Sequence, residues 1–427
     1  MIPLTLFGIL FLLLLAGVPI AVSLGLTTSI VILLFTADPA MLIAQKLFVS
    51  LNKYALMAIP LFVLMGNFMS QGGTAHRIIR FARSVVGHLP GGLPMSAIFA
   101  CVIFAAVSGS SPATVAAIGS IMMGAIQKDG YSPAFSVGSI VSSGSLGILM
   151  PPSIILIVYG VTVDQSIGEL FMAGTLPAVF LGGMLMLVTY VAARRAGHQK
   201  TEMASAREIW NAFKDAIWGL LVIIIVIGGI YGGIFTPTEA AAVAAVYAFI
   251  TAKFIYRDLT WKQIPQVIKT SAATAAMIMF IIANAMIFAH FLTTEQMPQD
   301  LANWIASMHF DKYVFLIFVN LLLLLAGNFM EPSSLIMILA PLIFPIAVQL
   351  GIDPIHLGVI ITVNMEIGML TPPVGLNLFV ASGISGLTLQ DTIRASFPWF
   401  IALIIGLIII TYVPEISLFI PNLIYGG

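Results

Sequence analysis

Two short motifs constrain this chain more than anything else in it. Gly-Ile-Leu-Met-Pro-Pro at 147–152 and Gly-Met-Leu-Thr-Pro-Pro at 368–373 each interrupt a long apolar run. Pro112 and Pro332 stand 39 and 40 residues before the first prolines of those pairs. Pro19 and Pro237 stand a further 93 and 95 residues before Pro112 and Pro332. The three anchors keep an offset of 218 to 221 residues. One Pro-Pro match arises easily by chance, whereas three in register mark an internal repeat.

Composition gives the solvent in which this repeat folds. Hydrophobic residues make up 60% of the 427 and charged residues 8%, against about 25% charged in a soluble domain. Seventeen Lys+Arg balance 17 Asp+Glu. A soluble enzyme, a disordered chain and a basic nucleic-acid binder are excluded. The remaining class is an all-α polytopic protein of the lipid bilayer, with room for ten or more segments at roughly 20 residues each. The single Cys101 excludes a disulfide framework or a cysteine-ligated metal. Met1 to Ala16 has no basic n-region, so a first transmembrane helix is expected there rather than a cleaved signal.

The apolar runs fall at 2–16, 19–36, 54–70, 89–127, 134–163 and 170–193, then again at 216–235, 237–252, 270–292, 313–349, 355–389 and 395–413. This predicts a first repeat over 1–193, a cytoplasmic linker over 194–215 and a second repeat over 216–427. The fourth run of each half (hairpins 89–127 and 312–350) breaks at its middle, at Ser108 to Pro112 and at Asn328 to Ser334. Arms of about 15 residues span about 22 Å as helix, short of a core of about 30 Å. A re-entrant hairpin fits, as do two full crossings; either way the chain returns to the side it left. The fifth runs (132–163 and 355–389) predict broken transmembrane helices. Five simple crossings per half make the second half inverted, and inverted repeats with broken helices characterise secondary transporters.

Charge placement agrees. With the N-terminus outside, inward loops carry 14 Lys or Arg, and outward loops carry Lys46, Lys53 and Lys312. Both termini are then expected on the periplasmic side. Two further segments are amphipathic: Ile78, Phe81, Ala82 and Val85 share one helical face, and Leu301, Trp304, Ile305 and Met308 share another. Each is read either as an interfacial helix or as an arm connecting a moving unit to a fixed one. Residues 207–217, with Ile209, Trp210, Phe213 and Ile217, read as interfacial.

Unwound backbone at membrane depth is tolerated only inside protein or along a cavity. Its free carbonyls, with Ser and Thr hydroxyls, suit Na⁺, and its free N–H groups suit a carboxylate. The first candidate ion set is Ser108, Gly109, Ser110 and Ser111 facing Ser145, Gly147 and Pro151. The second is Gly327, Asn328, Glu331 and Ser333 facing Glu366, Gly368, Thr371 and Pro372. The alternative is that Pro and Gly merely kink packed helices.

These features resemble the large membrane subunit of TRAP (tripartite ATP-independent periplasmic) transporters. The likeness rests on the paired Gly-x-x-x-Pro-Pro motifs, the Ser-Gly-Ser-Ser-Pro-Ala-Thr tip and the inverted halves, and runs over nearly the whole chain. It implies a Na⁺-coupled importer of organic acids in a bacterial inner membrane, with an elevator-like moving domain. It also implies a periplasmic binding protein and a small membrane subunit, expected as a separate polypeptide because no fused extension is present. In that family the hairpin tips and facing broken helices hold Na⁺ and border the substrate. The matching positions are 108–114 with 144–152 and 327–334 with 366–373. Ser110, Thr114, Pro152, Ser333, Ser334 and Pro373 are the substrate-site candidates. Na⁺ is the coupling ion, and no other cofactor is expected.

The carboxylates divide by context. Glu239 in Thr236-Pro237-Thr238-Glu239 reads as a capping box. Glu331 reads as a helix cap or an ion-site residue, and Glu366 as a group that joins or backs the second site. Asn67, Asn284, Asn320 and Asn364 read as interhelical hydrogen-bond partners. An intramembrane enzyme would need a nucleophile with its base or a metal motif, and no segment holds one. A stand-alone Na⁺/dicarboxylate symporter is the remaining alternative. Every Arg lies in an inward loop or at its edge, so no carboxylate clamp separates C4-dicarboxylates from sialic acids and other sugar acids.

Overall fold

A computed structural model describes residues 2–35, 40–198, 200, 202–307 and 311–425, and the described elements are helical. The first half holds α1 (Ile2–Leu15), α2 (Ile20–Phe35), α3 (Ala40–Leu51), α4 (Ala58–Gln71), α5 (Thr74–Val86), α6 (Gly92–Ser108), α7 (Ser111–Lys128), α8 (Pro133–Gly144), α9 (Ile154–Val163) and α10 (Ile167–Arg195). The second holds α11 (Ala206–Ile223), α12 (Gly229–Tyr231), α13 (Pro237–Ile250), α14 (Ile264–Thr294), α15 (Met297–Ser307), α16 (Lys312–Gly327), α17 (Pro332–Gln349), α18 (Pro354–Gly368), α19 (Leu376–Ser385), α20 (Leu389–Tyr412) and α21 (Glu415–Tyr425). Seven helices among the described residues are long and apolar enough to cross a membrane. Shorter apolar helices form most arms of the hairpins and of the broken segments.

Boundaries follow the caps. Ser132 and Ser153 accept from the N–H three residues on and start α8 and α9. Thr236 and Glu239 form a reciprocal capping box at α13, as read from the sequence. Ser205 and Glu208 form a second box, so α11 starts at Ala206, inside the expected polar linker. With α10 running to Arg195, the connection shrinks to residues 196–205. Thr388 caps α20, which begins at Leu389, earlier than the apolar run it carries.

The amphipathic segment at α5 packs on protein. Ile78 and Ala82 are fully buried, and Phe81 rests on Phe213 with ring centroids 5.7 Å apart. Arg77 pairs with Asp258 at 2.6 Å and Arg80 with Asp215 at 2.5 Å. The helix is therefore clamped to α11 and to the turn after α13. In the matching segment Leu301 is half-buried, while Met308 and the side chains of Trp304 and Ile305 lie outside the described residues.

Side-chain bonds between distant segments fall into two groups. One ties the early helices to α11–α14: Asn67 to Ser271 at 2.8 Å, Thr238 to the Tyr54 carbonyl at 3.2 Å, and the two Arg–Asp pairs. The other ties α6–α10 to α16–α20: Ser145 to Glu366 at 3.0 Å, Asn377 to Ser111 at 2.6 Å, Trp399 to Thr189 at 2.7 Å and Tyr159 to the Pro354 carbonyl at 2.8 Å. Two described bonds cross between the groups, Lys53 Nζ to the Val161 carbonyl at 3.1 Å and Thr175 to Tyr231 at 3.5 Å. Apolar contacts such as the edge-on pair Phe62–Phe171 fill the seam. Below, the first group is called the framework and the second the inner unit.

Candidate functional site

The first hairpin turns at Gly109 and Ser110, between the last residue of α6 and the first of α7. Gly109 has φ +60°, and a Cβ there would stand 2.6 Å from the Pro152 carbonyl oxygen. Only glycine fits both the left-handed turn and that approach. Gly147 meets the tip from the other side: its Cβ would stand 2.6 Å from the Ser110 carbonyl oxygen. Tip and broken helix thus touch backbone to backbone. Ser108 Oγ lies 2.7 Å from Thr114 Oγ1, and both hydroxyls reach the Ser110 carbonyl, at 3.2 and 2.9 Å. Ser111 Oγ donates to the Gly144 carbonyl at 3.1 Å. Pro151–Pro152 and Pro372–Pro373 are both cis.

The second hairpin repeats the arrangement with different side chains. A Cβ on Gly368 would stand 3.0 Å from the backbone of Gly327. Thr371 donates to Asn328 Oδ1, and the Asn328 carbonyl accepts from Val374 N at 3.0 Å. Glu331 caps α17: Oε2 accepts from Ser334 N at 3.1 Å, and Oε1 accepts from Ser333 Oγ at 2.8 Å. The helix cap read for Glu331 is present, and the capping carboxylate also lines a cavity.

That cavity, about 290 Å³, lies between the two tips and the framework helices α4 and α14. Ser108, Gly109, Ser110, Glu331 and Ser333 face it from the inner unit, and Asn67 and Thr274 from the framework. Four helices begin at its wall: Ser110, Ile154, Glu331 and Leu376 lie at the starts of α7, α9, α17 and α19. Each N-terminus carries roughly half a positive charge. Among the described residues, Glu331 is the one ionisable side chain in the lining.

Several expected residues sit elsewhere. Of the substrate-site candidates, Ser110 and Ser333 line the cavity. Thr114 and Ser334 are fully buried behind the tips, Pro152 is buried beneath Gly109, and Pro372 and Pro373 are exposed. Glu366 turns from the second tip: its Oε1 accepts from Ser145, and its buried Oε2 has no partner among the described residues. Of the four asparagines, Asn67, Asn320 and Asn364 bond between helices. Asn284 instead donates to the Phe280 carbonyl one turn back in its own helix. Sequence reasoning missed Asn377, fully buried with its amide on Ser111. Its position four residues after Pro373, at the start of a half-helix, is the signal that could have found it.

Paired hairpins closing on broken helices, over a cavity ringed by helix N-termini, define a membrane transport protein rather than an enzyme. The chain belongs to the family described as "Tripartite ATP-independent periplasmic transporter, DctM component", which matches residues 7–416. It is a multi-pass inner-membrane protein, the large permease subunit of such a system. It is 53% identical over 400 residues to the C4-dicarboxylate TRAP transporter large permease protein of Pseudomonas aeruginosa, covering 94% of each chain. It is 35% identical to the sialic acid TRAP transporter large permease protein of Vibrio cholerae, covering 97% of each. It is also 40% identical to the isethionate TRAP transporter permease protein DctMQ of Oleidesulfovibrio alaskensis, covering 97% of this chain and 65% of that one. Among solved structures, the YdaH transporter of Alcanivorax borkumensis superposes with a TM-score of 0.63 at 15% identity, covering 88% of this chain and 89% of that one. That likeness concerns the fold.

Proposed function

We propose that this chain carries a C4-dicarboxylate across the inner membrane, driven by Na⁺ and supplied by a periplasmic binding protein. The observation that carries the reading is the cavity. Among the described residues its lining holds no cationic side chain, yet four half-helix N-termini converge on it. Two of them, α7 and α9, come from the first half and two, α17 and α19, from the second, and several positive helix ends at one cavity suit an acid with two carboxylates. Relatives 49 to 53% identical are named for C4-dicarboxylates, while those named for sialic acid and 2,3-diketo-L-gulonate are 34 to 35% identical.

Na⁺ would sit where carbonyls and hydroxyls cluster, at Ser108, Ser110 and Gly147 in one half and at Asn328, Gly368 and Thr371 in the other. The four helix ends together offset about two negative charges, those of the substrate, and cations beside the tips would offset the Glu331 carboxylate that shares the cavity. Movement is read from the division of polar bonds. The inner unit is cross-tied within itself, and it meets the framework mainly through apolar surface, which can slide without breaking buried hydrogen bonds. An elevator motion of the inner unit, with the halves as inverted repeats over 1–193 and 216–427 and both termini periplasmic, fits this division. A separate small membrane subunit completes the complex, and a family whose name is tripartite disfavours a stand-alone symporter.

The test is uptake of labelled succinate into proteoliposomes holding this chain, its small subunit and the loaded binding protein. Uptake is expected with an inward Na⁺ gradient and not with K⁺ replacing Na⁺. Equal uptake in both media, or uptake by the lone chain, would overturn the reading.

A further inference from the structure

The framework wall of the cavity carries two polar side chains, Asn67 and Thr274. Asn67 is held in one orientation. The Ser271 hydroxyl, buried, donates to the Val267 carbonyl at 2.8 Å, so its oxygen is left to accept from Asn67 Nδ2, also at 2.8 Å. That bond fixes which end of the amide is nitrogen and leaves Oδ1 as an acceptor with no hydrogen bond among the described residues. The neighbouring residue, Gly66, places this amide beside the first tip: a Cβ at Gly66 would stand 2.8 Å from the Ser108 carbonyl oxygen.

We infer that Asn67 is a specificity-determining residue, whose Oδ1 accepts a hydrogen bond from a hydroxyl on the backbone of a C4-dicarboxylate held between the tips. The inference rests on the substrate reading above and adds to it a preference for 2-hydroxy acids. The charge pattern of the cavity selects the group read. Carboxylates are drawn to the helix N-termini across the cavity, and a carbonyl oxygen repels a carboxylate but accepts from a hydroxyl. An acid without the hydroxyl leaves Oδ1 unpaired when water is displaced, which costs binding. Ser271 is a positioning residue that keeps the amide turned.

The test uses the full complex in proteoliposomes, with malate and succinate each delivered by the same binding protein. The preference of the binding protein cancels when the malate-to-succinate ratio of kcat/KM for a variant is divided by that of the unaltered chain. Asn67→Leu is expected to lower this ratio by about three- to tenfold, the worth of one hydrogen bond, chiefly by slowing malate. Ser271→Ala, which leaves Asn67 in place but frees its amide, is expected to lower the ratio by a smaller factor and supplies the answer if Asn67→Leu does not assemble. Uptake of both acids with an unchanged ratio in either assembled variant overturns the role of Asn67 and leaves the substrate reading intact. Failure of the unaltered complex to take up either acid overturns the substrate reading and the inference with it.

Discussion

The Ser145 hydroxyl donates to Glu366 Oε1 at 3.0 Å across a sequence separation of 221 residues. That separation equals the offset between Pro151 and Pro372, so each residue bonds to its own counterpart in the other half. If the halves are the inverted repeats proposed above, counterparts touch only on the axis relating them, which would place this bond at the centre of the inner unit. Both residues are fully buried.

Glu366 should therefore separate two roles by substitution. Glu366→Gln keeps an acceptor for Ser145 and should leave thermal stability in detergent within about 1 kcal/mol. Glu366→Ala removes the acceptor and opens a cavity, which should cost about 1–3 kcal/mol. If the carboxylate backs a cation site, the Gln variant should also need about tenfold more Na⁺ for half-maximal uptake, an interaction loss of about 1.4 kcal/mol. Unchanged Na⁺ dependence in a folded Gln variant would leave the tie between broken helices as its whole role.

The two hydroxyl clusters, at Ser108 with Thr114 and at Thr371 with Asn328, share no described bond. Ser108→Ala and Thr371→Ala should each raise the half-saturating Na⁺ concentration several-fold. Their effects on its logarithm should add, as for independent sites. A double variant no worse than either single one would indicate that the clusters serve one ion.

Lys53 is the charged group that crosses the seam. Its ammonium donates at 3.1 Å to the Val161 carbonyl, in the last turn of α9, where an unsatisfied carbonyl and the helix dipole both favour a cation. Lys53→Met should loosen the inner unit at this end by about 1 kcal/mol, roughly fivefold in population. A cysteine replacing Gln165, at the edge of the gap between α10 and the start of α13, should then react faster with an impermeant thiol reagent. The native Cys101 is buried and should stay silent. An unchanged labelling rate would show that this bond does not hold the seam.

The topology has its own test. Cysteines replacing Lys46 and Lys312 should react from the periplasm in intact cells, and one replacing Arg207 should not. Periplasmic labelling of Arg207 would break the odd count of crossings on which the inverted reading stands.

Much of this architecture was legible because a membrane interior leaves few ways to interrupt a helix. The tip at Ser108 to Pro112 and the breaks at Pro151 and Pro372 are written in Pro, Gly and Ser. Glu239 was legible because its partner lies three residues away. What sequence could not give was direction. Glu366 sits five residues before Thr371, and its turn toward Ser145 depends on how two distant helices pack. Thr114, Ser334 and Pro373 share motifs with the cavity residues Ser110 and Ser333, but helical rotation and the turn of the break carry them off the wall. Asn67 reads like any interhelical asparagine until Gly66 is seen against the first tip.

Gly66 carries the last prediction. Alanine in the middle of α4 should add about 0.5–1 kcal/mol of helix propensity over glycine. The new methyl, however, would stand 2.8 Å from the Ser108 carbonyl oxygen and 3.4 Å from that residue's carbonyl carbon and Cα. These are backbone atoms of a turn pinned by Pro152 and Gly147, so they cannot swing aside as a flexible side chain would. Either α4 or the tip must shift by several tenths of an ångström, and the shift falls on a carbonyl proposed to hold Na⁺. Gly66→Ala should therefore assemble normally yet lose uptake several-fold, with a raised requirement for Na⁺. Gly183→Ala is the control, since a Cβ there meets nothing within 4 Å; it should gain stability and keep full uptake. If Gly66→Ala matched that control in both uptake and Na⁺ dependence, the framework would have to give way at this contact. The first tip would then be insulated from α4.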